Sequence, residues 1–191
     1  MTDPVALFQR WYEEAVKAGA PQPEAMTLAT ADAAGRPSAR MVLLKGIDRG
    51  DFLFYSNYGS LKGRDLEANA RAALVFYWSV TRHQVRVFGR VKKLSRAASA
   101  AYFHSRPRGA QLSAAASRQS RVLTSRDALE AAVDKIEKEH PGKVPLPADW
   151  GGYRLISAWI EFWENRPDRL HDRIRHVRRR GGGWRLERLS P

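Results

Sequence analysis

Residues 25–56, AMTLATADAAGRPSARMVLLKGIDRGDFLFYS, decide the fold. Ala25–Ala31 and Ser38–Lys45 are short runs rich in Thr, Val, Leu and Met. Between them Asp32–Gly35 supplies turn residues. Asp48–Asp51 is a second turn, and Phe52–Ser56 a third apolar run. Strand, turn and strand repeating at this spacing predict an antiparallel meander.

Outward from that stretch the pattern stays mainly β. Residues 4–18 have Leu7, Trp11 and Ala15 at helical spacing, with Thr2 or Asp3 as cap and Gly19 as stop. A loop with Pro21 and Pro23 follows. Residues 61–69 read as a short helix after the loop at 57–60. Residues 72–79 are a largely apolar strand. Residues 82–94 alternate, with Arg82, Gln84 and Arg86 on one face and His83, Val85 and Val87 on the other. Ser95 caps a helix through His104, which Pro107 ends. Residues 111–120 are small and polar and suggest no element. Thr124 with Asp127 opens a helix to about Glu139, and 141–147 is a loop. Strands are expected at 153–163, 170–177 and 184–189, with Gly181–Gly183 as a hairpin turn. About seven strands with interspersed helices predict an α+β, mainly β, antiparallel barrel. Strands do not alternate regularly with helices, which argues against a parallel nucleotide-binding sheet. The chain reads as one domain over 1–191, with an N-terminal helix in 1–20 and C-terminal strands in 150–191.

Composition narrows the function classes. There is no cysteine, so disulfides and thiolate sites are out, and the chain is compatible with the cytoplasm. No apolar run reaches the roughly 18 residues that span a bilayer, and no signal peptide is expected from MTDPVALFQRWYEEA. The net charge is +13. Residues 166–191 hold nine arginines against Asp168, Asp172 and Glu187, about +6 of that total. Such a surface suits nucleic acid or small anions. The absence of a basic arm or recognition helix argues weakly against a dedicated DNA binder.

The chemistry-bearing residues are cationic and aromatic. In RPDRLHDR, residues 166–173, a continued strand would put Arg169, His171 and Arg173 on one face beside the aromatic run WIEFW at 159–163. That row suits a phosphorylated aromatic ligand; an edge strand with outward charges is the competing reading. The five histidines are scattered, and no metal site is expected. Arg40 and Lys45 bracket an apolar strand but differ by an odd number, so a shared ligand needs a bulge or contacts at different ends. Snorkelling ends are the competing reading there. Tyr55-Ser56-Asn57 with Lys62 makes an anion site near a helix start. Tyr102 and Arg106 are i, i+4 on a helix, and Gln119-Ser120 adds neutral hydrogen-bonding groups. These are many anion-binding groups with no acid, base or nucleophile, which suits an enzyme whose cofactor does the chemistry.

Seven segments in order, ATADAAGRPSARMVLLK, FYSNYGSLKGRDL, FYWSVTRHQVRVFG, YFHSRPRGAQ, SRQS, WGGYR and IEFWENRPDRLHDR, resemble the pyridoxamine/pyridoxine 5′-phosphate oxidases. The resemblance runs over nearly the whole chain. It implies an FMN-binding split barrel with flanking helices, a homodimer with shared active sites, and oxidation of pyridoxamine or pyridoxine 5′-phosphate to pyridoxal 5′-phosphate with O2 reduced to H2O2. It implies no nucleic-acid or membrane partner. Carried over by motif, FMN would be bound by residues 40–45 (Arg40, Met41, Val42, Leu43, Leu44, Lys45), Tyr55, Ser56, Lys62, Gln84, Gln119, Ser120, Trp163 and Arg173. Substrate would meet Lys45, Tyr102, Arg106, Arg169, Leu170 and His171, with Arg169, His171 and Lys45 at the reacting atoms.

The sequence departs from that pattern at several places. Leu61 stands where the family usually has arginine, Ala110 replaces a serine, Phe88 a glutamate, and Glu164-Asn165 the pair Gln-Gly. Ala114–Ala116 lack the usual glycine and tryptophan. A related flavin oxidase acting on another aromatic substrate, such as a phenazine precursor, is the nearest alternative. A non-enzymatic flavin-, pyridoxal phosphate- or nucleic-acid-binding module is the other.

Overall fold

The computed structural model describes residues 3–191. Its first element, α1 (Pro4–Lys17), starts as the sequence requires: the Asp3 carboxylate accepts from Val5 N at 3.1 Å, and Pro4 sits where a helix spares a donor. Thr2, the alternative cap, lies outside the described residues. Phe8, Trp11 and Ala15 form the buried stripe, and Leu7 packs at its margin.

The meander is present. Strands β1 (Ala25–Ala31) and β2 (Pro37–Leu43) pair antiparallel, with Ala25 opposite Leu43. Strand β2 stops two residues before the expected end. Leu44 N then donates to Glu24 O at 2.8 Å and Lys45 N to Leu53 O at 2.8 Å. The chain turns at Gly46, whose φ of 146° favours glycine. A short strand β3 (Gly46–Asp48), absent from the sequence expectation, pairs with β4 (Asp51–Asn57).

The remaining strands are β5 (Arg71–Trp78), β6 (His83–Lys93), β7 (Trp150–Glu164), β8 (Asp172–Arg178) and β9 (Trp184–Arg188), nine in all rather than about seven. Their order is β2-β1-β5-β6-β7-β4-β3, with β8 and β9 continuing from β7. Strand β7 organises the sheet. One edge pairs with β6 along its length. The other edge is divided: residues 150–155 pair with β4 and residues 159–164 with β8. The sheet curls until β2 comes against β4, which makes the antiparallel split barrel. A bulge at Phe88/Gly89 helps bend it.

Five helices flank the sheet: α1, α2 (Leu61–Ala68), α3 (Arg96–Ser105), α4 (Arg108–Ala116) and α5 (Arg126–Glu139). Helix α4 was not foreseen; its run of small residues has no apolar period, and only Leu112 is buried. Ser125, not Thr124, caps α5, accepting from Ala128 N at 3.1 Å. The main core lies inside the barrel, where Phe8 meets Phe52 at 5.0 Å and Phe76 at 4.9 Å, both edge-on. A second cluster, Phe103, Leu112, Val144 and Trp150, sits under α3, α4 and α5.

One expectation is overturned. Residues 170 and 171 are not in a strand; β8 begins at Asp172, and Pro167–Arg169 is a 3-10 turn. Asp168 and Arg169 both have left-handed φ, 55° and 59°. Two such residues in succession reverse the chain direction. Arg169, His171 and Arg173 therefore do not share a strand face. No helix is long and apolar enough to cross a membrane.

Candidate active site

A cavity of about 860 Å³ opens between β2, the end of β4, the start of α2, the corner joining α3 to α4, and residues 117–120. Strand alternation sends Arg40 into it from β2. The Arg40 guanidinium donates to Thr30 Oγ1 at 2.6 Å and Ser38 Oγ at 2.6 Å, and lies 3.6 Å from Asp65. Thr30 in turn donates to Asp65 Oδ2 at 2.6 Å. This brace fixes Arg40. Burial lowers its pKa, and Asp65 works against that shift.

Lys62 enters from the first turn of α2. Ser60 caps that helix, accepting from Gly63 N at 3.3 Å. Residue 63 must be glycine, because a Cβ there would overlap the Tyr58 carbonyl. Lys62 is only 7% exposed. Its Nζ donates to Gln119 Oε1 at 2.9 Å and Ser56 Oγ at 3.1 Å. Burial, and then the nearby Arg40 charge, pull its pKa down to about 8. Ser120, beside Gln119, has a left-handed φ of 67°, a strained conformation at the cavity wall.

Lys45 also lines the cavity, as do Met41, Val42 and Leu43. The parity difficulty between Arg40 and Lys45 disappears because β2 ends at Leu43 and Lys45 lies beyond it. Leu44 does not line the cavity; it packs on the main core.

The opposite chemistry comes from α3. Tyr102 stacks on Tyr55 with centroids 3.8 Å apart and 20° between planes. Trp150 lies parallel to both, 5.6 Å from Tyr55 and 6.3 Å from Tyr102. Burial raises the pKa of both tyrosines. Arg106 ends α3, with its guanidinium 5.0 Å from the Trp150 ring centre and its Nη1 buried without a partner.

The other anticipated residues form a separate cluster. Gln84, Trp163 and Arg173 stand directly opposite one another on β6, β7 and β8, so they share one face. Arg173 donates through Nε and Nη2 to Glu161 Oε1, at 3.0 and 2.8 Å. The His171 ring lies 4.5 Å from Trp163, and its Nδ1 accepts from Arg166 N at 3.2 Å. Arg169 and Leu170 are exposed. None of these six lines the cavity. The structure thus gathers twelve of the anticipated residues in one cavity and six on a second surface. Among the described residues, no group of three or more His, Asp and Glu is arranged to hold a metal ion.

Sequence reasoning missed Thr30, Asp65, Trp150 and Glu161. Thr30, Asp65 and Glu161 act by bracing arginines, and no spacing rule brings Thr30 to Asp65. Trp150 heads the segment WGGYR, an aromatic ahead of two glycines, which was the available signal.

The family model described as pyridoxamine 5′-phosphate oxidase matches residues 12–140. The one described as the pyridoxine 5′-phosphate oxidase C-terminal dimerisation region matches residues 150–191. A pyridoxine/pyridoxamine 5′-phosphate oxidase of Cupriavidus necator is 53% identical over 189 residues, 99% of this chain and 89% of the relative. Its namesake from Rubrobacter xylanophilus is 53% identical over 190 residues, 99% of this chain and 87% of the relative. Among solved structures, PhzG from Burkholderia lata, in complex with tetrahydrophenazine-1-carboxylic acid, superposes with TM-score 0.94 at 31% identity, covering 100% of this chain and 94% of that one. An FMN-binding protein from Nostoc punctiforme shares the fold, with TM-score 0.81 at 17% identity over the full length of both chains. With both parts of the family pattern matched in sequence and folded as one split barrel, the chain belongs to the pyridoxamine 5′-phosphate oxidase family.

Proposed function

We propose that this protein oxidises pyridoxamine 5′-phosphate and pyridoxine 5′-phosphate to pyridoxal 5′-phosphate, reducing O2 to H2O2. The observation that carries the reading is that one cavity contains two independent cationic subsites. Arg40 and Lys62 are neighbours that feel each other's charge. Arg106 sits with Tyr102 on a different element, half-buried, with its Nη1 enclosed and lacking a hydrogen bond. A cavity that takes a phosphorylated cofactor and a phosphorylated substrate together needs that arrangement.

The cofactor is FMN, and the cavity fits it. Arg40, half-buried, and Lys62, buried, bring two cations against the single carboxylate Asp65, leaving charge for a phosphate. Ser56, Gln119 and Ser120 add hydrogen-bonding groups, and residues 41–43 of β2 give an apolar stretch of wall. When bound, FMN supplies the hydride acceptor and passes the electrons to O2. The chain's own residues orient and polarise. Lys45, at the cavity edge, places a cation where negative charge develops. Tyr102 and Arg106 hold the substrate phosphate, and the stacked rings of Tyr55, Tyr102 and Trp150 exclude water beside it.

The second cluster acts in a homodimer. Gln84, Trp163 and Arg173, with Arg169, Leu170 and His171 beyond them, complete the cavity of the partner subunit. The match of residues 150–191 to a dimerisation region supports this reading, as does the failure of these six to reach the cavity of their own chain. Arg169 and His171 then lie against the substrate ring.

A second reading is an oxidase of an aromatic carboxylate. Leu61 lines the cavity where the related enzymes usually place an arginine, and the PhzG structure supports it. Purified protein answers both. A yellow protein that forms H2O2 and pyridoxal phosphate from pyridoxine 5′-phosphate under air establishes the first. A yellow protein inert to both B6 phosphates but active on a reduced phenazine carboxylate establishes the second. A colourless protein that cannot be loaded with FMN removes both.

A further inference from the structure

Arg106 stands apart from Arg40 and Lys62 in the cavity. Arg40 faces Asp65, and Lys62 donates to Ser56 and Gln119. Among the described residues, no carboxylate lies within ion-pair distance of Arg106, and its Nη1 is buried without a partner. Its backbone is fixed from two sides. Arg106 N donates to Phe103 O at 3.3 Å, and Gln111 Nε2 donates to Arg106 O at 2.7 Å. The side chain rests on aromatic rings, with Trp150 at 5.0 Å and Phe103 at 5.9 Å. Trp150 is itself immobilised: 6% exposed, at the first position of β7, and within 4° of parallel to Tyr102.

We infer that Trp150 is the positioning residue of the substrate-anion subsite. Its indole face keeps the Arg106 guanidinium aimed into the cavity while leaving the guanidinium's hydrogen-bond donors unspent. This deepens the phosphate subsite proposed above and rests on it. A carboxylate in the same place would also fix Arg106, but it would neutralise the charge and compete with the incoming anion. A ring quadrupole attracts the cation from the face and occupies no N–H, and tryptophan does so best among the aromatic side chains. An aliphatic residue would fill the space without the field. Because Trp150 also packs with Phe103, Leu112 and Val144, the test must separate positioning from packing.

Trp150→Phe and Trp150→Leu are made in the FMN-loaded protein. Inorganic phosphate binding is measured by titration calorimetry, and KM and kcat are measured with pyridoxine 5′-phosphate. FMN content and the thermal midpoint are followed alongside. The expected result is a graded loss: phosphate affinity falls about tenfold in the leucine variant and less in the phenylalanine variant. KM rises in step, kcat stays within about twofold, and FMN content does not change. If the leucine variant does not fold, the intermediate loss in Trp150→Phe carries the test. Phosphate binding within about twofold of the parent in the folded variants overturns the inference, as do losses that follow the thermal midpoint instead of the ring. A parent protein that binds no phosphate overturns it too. If the parent turns over neither B6 phosphate while Trp150→Leu still loses phosphate, the proposed activity falls and the role of Trp150 stands.

Discussion

Lys62 Nζ lies 2.9 Å from Gln119 Oε1, and this contact joins the first turn of α2 to the loop that closes the cavity after α4. The two residues are 57 positions apart. Their meeting buries an ammonium group with no carboxylate of its own, and its pKa falls to about 8.

That depressed value sets a pH dependence. In the folded protein without ligand, Lys62 binds fewer protons than in the unfolded chain between about pH 8 and the ordinary lysine value. Stability of the apoprotein therefore rises with pH through that window. A bound phosphate favours the charged form, so FMN affinity falls as pH rises above about 8, and binding there takes up a proton. Titration calorimetry in buffers of different ionisation enthalpy reads that uptake. An FMN affinity flat from pH 7 to pH 10 would remove Lys62 from the phosphate site.

Arg40 and Arg169 should separate by what they lose. Arg40→Ala removes a braced guanidinium from the cavity and weakens FMN retention about 10- to 100-fold, the size of a charge-assisted hydrogen bond. Arg169→Ala leaves FMN bound and lowers kcat/KM for pyridoxine 5′-phosphate by a similar factor. Release of FMN by the Arg169 variant would show that the division of roles is wrong.

Gly63→Ala tests the placement of Lys62. The added methyl meets main chain at Tyr58, which cannot rotate away. The expected cost is about 2–3 kcal/mol in urea unfolding, with FMN affinity reduced because the first turn of α2 must shift. An alanine variant with wild-type stability and affinity would mean that α2 has more freedom than its contacts suggest.

Two histidines link α1 to acidity. His83 stacks on Trp11 at 3.9 Å, with Glu14 and Glu164 nearby. His176 packs edge-on to Phe162, with Asp3 its nearby charge. Both rings have a buried Nδ1 without a hydrogen bond, although Glu14 Oε2 lies 4.0 Å from that of His83, and burial lowers both pKa values despite the carboxylates. The unfolded chain therefore takes up protons first as pH falls below the ordinary histidine value, and stability declines with it. Urea midpoints between pH 8 and pH 5 should fall, and a His83→Gln/His176→Gln double variant should flatten the slope. An unchanged slope assigns the acid sensitivity elsewhere.

The legible parts of the sequence were those governed by local periodicity. Strand β1 matches its expected bounds because Met26, Leu28 and Thr30 alternate with partly exposed neighbours, and β6 shows Val85 and Val87 inward as read. Helix α4 was not legible, because alanines mark no face. The turn at Asp168 and Arg169 was not legible either, since neither residue type announces a left-handed φ. In the site, Arg40, Lys62, Tyr102 and Arg106 could be picked out as anion-binding groups. Their braces could not, because Thr30 and Asp65 meet only through tertiary packing. The alignment of Gln84, Trp163 and Arg173 depends on the register of three strands, which residue spacing within one segment does not encode.

Strand β7 has Trp150 at one end and Trp163 near the other, 13 residues apart and so roughly 40 Å along the backbone. In the proposed dimer the first end serves the subunit's own cavity and the second serves its partner's. The strand then works as a rigid beam between two reaction centres and fixes the distance from one to the other. Neither centre can be retuned through β7 without loading the opposite end. A heterodimer of Arg106→Ala and Arg169→Ala subunits would gather both defects in one cavity and leave the other intact, recovering half of the parental activity from two impaired chains.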